Sequence, residues 1–142
     1  MEDLKKSLID FVKKIKNSDY RKKRILEDLE YTIHQMYSVS SPVYDRVGGS
    51  TNVKPDRIIM LLDKRDRLER ALKKIEEEKE LFNSFLSSLT EKQKEVFDWH
   101  FMQTEKITRI SKYLNLSTSA VIQRLEKILY KWRFIYEVHN SK

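Results

Sequence analysis

The chain has 142 residues, 36% charged and 39% hydrophobic, with only two Gly and two Pro. That length suits one modest domain, or a small domain with an extended helical element. So few turn residues exclude an all-β fold and predict an all-α one. A formal charge of +7 and a pI near 9.5 call for an acidic partner, either nucleic acid or an anionic membrane face.

The basic surplus is uneven. Residues 1–47 hold ten basic and eight acidic side chains, residues 48–85 nine and eight, and residues 86–142 ten and six, so the excess gathers in the last third. The absence of cysteine excludes a disulfide frame and a thiolate metal site. Met1-Glu2-Asp3-Leu4 does not open a signal peptide, and no apolar run reaches membrane-spanning length, so a soluble cytoplasmic protein is expected.

Residues 1–37 read as N-terminal helices. Leu4, Leu8, Phe11, Val12 and Ile15 recur at helical spacing with Lys on the other face, and Asn17-Ser18-Asp19 offers a break and a cap. A second helix, roughly Tyr20–Tyr37, carries Ile25, Leu26, Leu29, Ile33 and Met36 on one stripe. It opens with Arg21-Lys22-Lys23-Arg24, either a solvated face or a phosphate contact. Residues 38–54, rich in Ser, Gly, Asn and Pro, read as a loop or linker, and Gly48-Gly49 fits no nucleotide-binding pattern.

A long charged helix is expected over 55–85, opened by Pro55 and Asp56. Ile58, Leu61, Leu68, Leu72, Ile75 and Phe82 keep a seven-residue repeat that Arg65 and Lys79 interrupt. Such a rod cannot bury its stripe alone. It either folds back on the Tyr20–Tyr37 helix as an antiparallel hairpin or pairs with a second chain as a coiled coil.

Residues 86–142 carry the most informative pattern. Thr90 and Gln93 have capping-box spacing and open a helix bearing Val96, Phe97 and Phe101. Beyond it lie two helical groups, Ile107/Ile110/Tyr113/Leu114 and Val121/Leu125/Ile128/Leu129, separated by Asn115-Leu116-Ser117. Ser117 is placed to cap the second helix, with Leu116 and Val121 at hydrophobic-staple spacing. Two short helices, a tight turn and a capped second helix are the outline of a helix-turn-helix. The second helix continues the same apolar stripe through Trp132, Ile135 and Tyr136.

A helix that reads a major groove needs short polar or basic side chains opposite its buried stripe. Ser119, Gln123 and Lys127 lie there, flanked by Arg124. Gln bonds adenine through two atoms, Ser is an adaptable contact, Lys and Arg reach phosphate, and Arg also bonds guanine. The expected contacts to double-stranded DNA are Ser117, Thr118, Ser119, Gln123, Arg124, Lys127 and Lys131 on the second helix, with Arg109 and Lys112 from the first. An ordinary exposed helix face is the plain alternative.

The stretch Leu86–Lys131 resembles the DNA-binding region four of bacterial sigma factors. The residues in register are Leu86, Leu89, Thr90, Val96, Phe97, Phe101, Ile110, Leu114, Leu116, Ser117, Ala120, Val121, Arg124 and Leu125. Asn115 and Thr104 stand where that pattern has Gly, Lys106 replaces a helix cap, and Ser111 replaces Ala. Nothing in the chain resembles region two, so a complete sigma factor is not expected. The layout, with helices, a loop containing Ser-Pro and Gly-Gly, a long charged helix and a region-four-like end, resembles phage and prophage late-gene transcriptional regulators of the ArpU and RinA type. That resemblance implies activation of late genes in a bacterial host, close to the nucleoid, with host RNA polymerase and a second copy of the chain as possible partners.

Catalysis has no positive support. His34, His100 and His139 are isolated, no metal-ligand spacing or nucleophile arrangement is legible, and the carboxylates alternate with Lys along helices. No cofactor or metal is expected. Tyr130 and Phe134 lie opposite the core stripe, either as exposed contacts for a partner or covered by the N-terminal helices. Two other functions fit the same pattern. One is a small terminase-like DNA-packaging protein; the other is a helical adaptor that does not bind DNA.

Overall fold

A computed structural model describes residues 2–40 and 55–140 of the chain. Among them, all regular structure is helical: α1 (Glu2–Lys16), α2 (Ser18–Ser40), α3 (Pro55–Ser88), α4 (Glu91–Phe97), a π turn (Asp98–Met102), α5 (Ile107–Leu114) and α6 (Thr118–Asn140). The expected loop is partly corrected, since residues 38–40 continue α2; the rest of it lies outside the described residues. No helix among the described residues is long and apolar enough to cross a membrane.

The chain forms two compact units, which divide it differently from the sequence reading. One contains residues 1–17 and 78–142, the other residues 18–77. The expected grouping of α1 with α2 therefore gives way to one in which α1 belongs with the C-terminal helices.

The physical reason lies in the first unit's core. Leu8 and Val12 of α1 are fully buried beside Phe82 and Phe85 of α3, Val96, Phe97 and Phe101, Ile110 of α5, and Val121, Leu125, Ile128, Leu129 and Trp132 of α6. Phe11 of α1 meets the Trp132 ring at 4.9 Å, and Phe85 meets it edge-on at 5.4 Å. Phe97 bridges Phe85 at 5.6 Å and Phe101 at 5.3 Å. Two polar contacts hold α1 in place. The Trp132 indole N–H donates to Ser7 Oγ at 3.3 Å, and the Lys16 ammonium donates to the Met102 carbonyl. Without α1, the large apolar side chains of α6 would face water on one side.

The second unit is the α2–α3 hairpin. The Lys22 ammonium meets the Glu76 carboxylate at 3.1 Å at one end, and Gln35 shares a groove with Asp56, Arg57 and Met60 at the other, so the helices run antiparallel. Of the expected seam on α3, Leu61 and Ile75 are buried in this unit, while Ile58, Leu68, Leu72 and the interrupting Arg65 are half-buried. The α2 stripe is less deeply covered than its spacing implies. Thr32 is buried with its hydroxyl turned back to the Asp28 carbonyl, while Leu26 and Ile33 remain exposed. Two helices alone cannot enclose both apolar stripes.

Candidate nucleic-acid interface

Three local devices position α5 and α6. First, Thr90 caps α4 in a reciprocal capping box. The Gln93 backbone N–H donates to Thr90 Oγ1 at 3.2 Å, and the Thr90 N–H donates to Gln93 Oε1 at 3.1 Å.

The second device is the π turn, which had no signal in the hydrophobic spacing. Widening the helix by one residue per turn brings Phe101 into the core and leaves Trp99 and His100 half-buried. The chain then bends through Thr104 at φ 56°, a left-handed conformation that costs a β-branched residue about 1–2 kcal/mol. Two bonds hold that bend. The Glu105 N–H donates to the Trp99 carbonyl, and His100 Nδ1–H donates to the Glu105 carbonyl, both at 2.9 Å. A carbonyl can only accept, which fixes the proton on Nδ1. Burial, offset in part by that bond, holds the His100 pKa below the ordinary imidazole range, with Lys5 acting in the same direction.

The third device is the turn itself. Asn115 adopts φ 54°, ψ 47°, the left-handed conformation that Asn tolerates with little strain. The Leu116 N–H returns to the Ser111 carbonyl at 2.9 Å, and Ser117 Oγ accepts from the Ala120 N–H at 3.1 Å, an N-cap at the third helical position. Leu116 packs against the cluster that contains Val121. Tyr113 corrects the expected apolar group of α5. It is 54% exposed and stacks on Trp99 at 4.8 Å instead of entering the core.

With Val121, Leu125, Ile128, Leu129 and Trp132 buried, the opposite side of α6 is exposed. Ser119, Gln123, Lys127 and Tyr130 follow one another along it at helical spacing, with Ser117 and Thr118 exposed at its N-terminal end and Arg124 half-buried at its edge. Glu126 lies among them, so the row is mixed in sign rather than uniformly basic. On α5, Lys112 is exposed, and Arg109 is exposed but pairs with Glu105 at 3.6 Å. Tyr130 and Phe134 are 74% and 69% exposed, so α1 covers the Trp132 side of α6 and leaves these two rings bare. Tyr136, expected to extend the core stripe, is 40% exposed because the stripe ends at Ile135, which is half-buried.

Lys131 is placed differently from the other basic candidates. Its ammonium donates to Gln93 Oε1 at 2.8 Å and to the Ser88 carbonyl, tying α6 to the capping box of α4 and to the end of α3. Gln93 Oε1 thus accepts two bonds, one from Thr90 and one from Lys131. With two of its three donors used internally, Lys131 helps to orient α6. The expected result for Lys131→Met is a loss of about 0.5–1.5 kcal/mol of stability: two hydrogen bonds go, but Gln93 Oε1 keeps the Thr90 N–H and the exposed Ser88 carbonyl is open to water. The salt dependence of any DNA affinity should stay unchanged. Thermal unfolding and a salt titration of binding check the two halves.

Comparison of the chain with protein-family models, curated proteins and solved structures gives no match. The functional reading therefore rests on residues and geometry. Among the described residues, no cluster of His, Asp and Glu has the arrangement of a metal site.

Proposed function

We propose that the protein binds double-stranded DNA sequence-specifically and regulates transcription, with α5 and α6 as its helix-turn-helix. One observation carries the reading. A capped helix with one wholly buried face presents Ser119, Gln123 and Lys127 in a row on the other, at the point where a tight left-handed turn joins it to a short preceding helix. A helix so exposed, with its N-terminal turns leading, fits a B-form major groove. Ser119 and Gln123 are the candidates for base edges. Arg124, Lys127, Lys112 and Arg109 are the candidates for phosphates. Activation of late phage genes is the physiological role implied by the resemblance to sigma region four and to the ArpU and RinA regulators. Lys131, tied to Gln93 and Ser88, is given a positioning role in this reading.

Selection from a random duplex pool, paired with genome-wide mapping of bound DNA, tests the proposal. One enriched motif is expected, lying at promoters. Gln123→Ala with Arg124→Ala should abolish retention of that motif in a mobility-shift assay while helical content stays intact. Lys127→Ala should weaken binding to all duplexes alike and lower the salt slope by about one unit. No enrichment, together with no duplex binding at low salt, would leave a helical adaptor. Enrichment at packaging sites would assign the terminase-like role.

A further inference from the structure

Tyr130 stands in the row of α6 that faces away from the core. At 100° per residue, Ser119, Gln123, Lys127 and Tyr130 fall within about 80° of arc, and Phe134 continues the line. The residues that follow Tyr130 are engaged within the chain. Lys131 donates to Gln93 and Ser88, Trp132 enters the core, and Arg133 pairs with Glu137 at 3.0 Å. Tyr130 is 74% exposed. Tyr113 stacks on Trp99, whereas the Tyr130 ring stacks on none of the described residues and its hydroxyl bonds to none of them.

The depth at which Tyr130 meets a duplex follows from the helical rise. A recognition helix that enters a major groove with its N-terminal turns leading draws away from the base edges along its length. Tyr130 lies about 10.5 Å along the axis from Gln123. At an inclination of about 45° it has drawn back by about 7 Å, close to the groove depth of about 8.5 Å, which sets its side chain level with the phosphates. Phe134, one turn further on, has drawn back by about 12 Å and stands clear of the duplex.

A phenol suits the edge of the groove. Its hydroxyl donates to a phosphate oxygen, a contact that positions a protein without reading sequence. Its ring covers the apolar face of a deoxyribose. Lys127, three residues earlier and adjacent on the helix surface, brings a positive charge to the same stretch of backbone. Glu126 borders the row on the other side, so the phosphate lies toward Lys127.

We propose that Tyr130 is a further contact to DNA, its hydroxyl donating to a phosphate at the edge of the major groove and its ring resting on the neighbouring deoxyribose. This contact rests on the helix-turn-helix reading above, and the test separates the two.

Affinity is measured on a short duplex carrying the enriched motif and on a mixed-sequence duplex. Y130F removes the hydroxyl alone and should weaken binding to both by about 5–30-fold, as expected for one hydrogen bond to a charged group at an exposed edge. Y130A also removes the ring and should weaken it further. The slope of affinity against salt should not change, because a neutral hydroxyl releases no counterion, whereas Lys127→Ala lowers it by about one unit. Ethylation of one phosphate should interfere with binding of the parent chain and not of Y130F. F134A should bind as the parent does. All three variants change exposed side chains, so their melting temperatures should match the parent's. Y130F binding as tightly as the parent, a changed salt slope, or an equal loss in F134A would overturn the contact while leaving the helix-turn-helix reading in place. If the parent chain binds neither duplex, that reading fails and the contact fails with it.

Discussion

Trp132→Ala is expected to cost about 3–5 kcal/mol, the range for truncating a large buried aromatic. The melting temperature should fall by roughly 10–20 °C. Trp132 is 2% exposed and sits where α1, α3 and α6 converge, with Phe11 at 4.9 Å and Phe85 at 5.4 Å. Alanine there opens a cavity between three helices whose backbones are pinned by other contacts, so little collapse can offset it. Trp132→Phe keeps part of the ring contacts, loses the 3.3 Å bond to Ser7 and leaves a smaller void, a change of about 1–2 kcal/mol. Circular dichroism melts should rank the two variants, Trp132→Ala below Trp132→Phe, since both lose the Ser7 bond and differ in the packing that remains. Trp132 lies beyond the Ser119–Lys127 row. Trp132→Ala should therefore lower DNA retention only in proportion to the fraction unfolded, and binding should recover on cooling. A binding loss that persists with full helicity would show that Trp132 acts on the interface itself.

The parts of this structure that were legible in the sequence depend on contacts between near neighbours. Thr90 and Gln93 are three residues apart, so their capping box is written in the local sequence. Asn115, Leu116 and Ser117 likewise encode the left-handed turn and the cap of α6. The seven-residue repeat on α3 left the choice between a hairpin and a second chain open, and the α2–α3 ion pair Lys22–Glu76 decides for the hairpin within one chain. That pair joins residues far apart in sequence, and no periodicity specifies it.

The features that escaped the sequence are set by tertiary context. The π turn at Asp98–Met102 has no composition signal, because one inserted residue shifts the register of Phe101 without altering the residue types around it. Thr104 adopts a left-handed conformation where Gly would be comfortable; the departure from the sigma pattern at this position marks the site but not the conformation. Lys131 reads as one more basic residue on the expected recognition helix, and only the location of Gln93 and Ser88 shows that its charge is used internally. For Ser119, Gln123 and Lys127, helix periodicity does predict exposure, since the stripe they oppose is regular from Val121 to Trp132.

The division at residue 86 has the most severe expected consequence. A fragment of residues 86–142 contains α4, α5 and α6, and the sequence suggests that it is a complete DNA-binding domain. It should not fold. Cutting there removes Leu8 and Val12 of α1 and Phe82 and Phe85 of α3, all buried in the shared core, together with Phe11 against Trp132. Four fully buried side chains at about 1.5–3 kcal/mol each amount to roughly 6–12 kcal/mol. The whole stability of a domain is only about 5–15 kcal/mol. The expected readout is low helical content, a broad melt without a cooperative transition, and dye binding by exposed aromatics. Adding α1 back by joining residues 1–17 to 78–142 through a flexible linker should restore a cooperative melt, because that combination contains the entire compact unit. If the 86–142 fragment melts as sharply as the full chain, α1 is a decoration on a self-sufficient domain. If only the joined form does so, the N-terminal helix is part of the unit that presents α6, although it is encoded a hundred residues away.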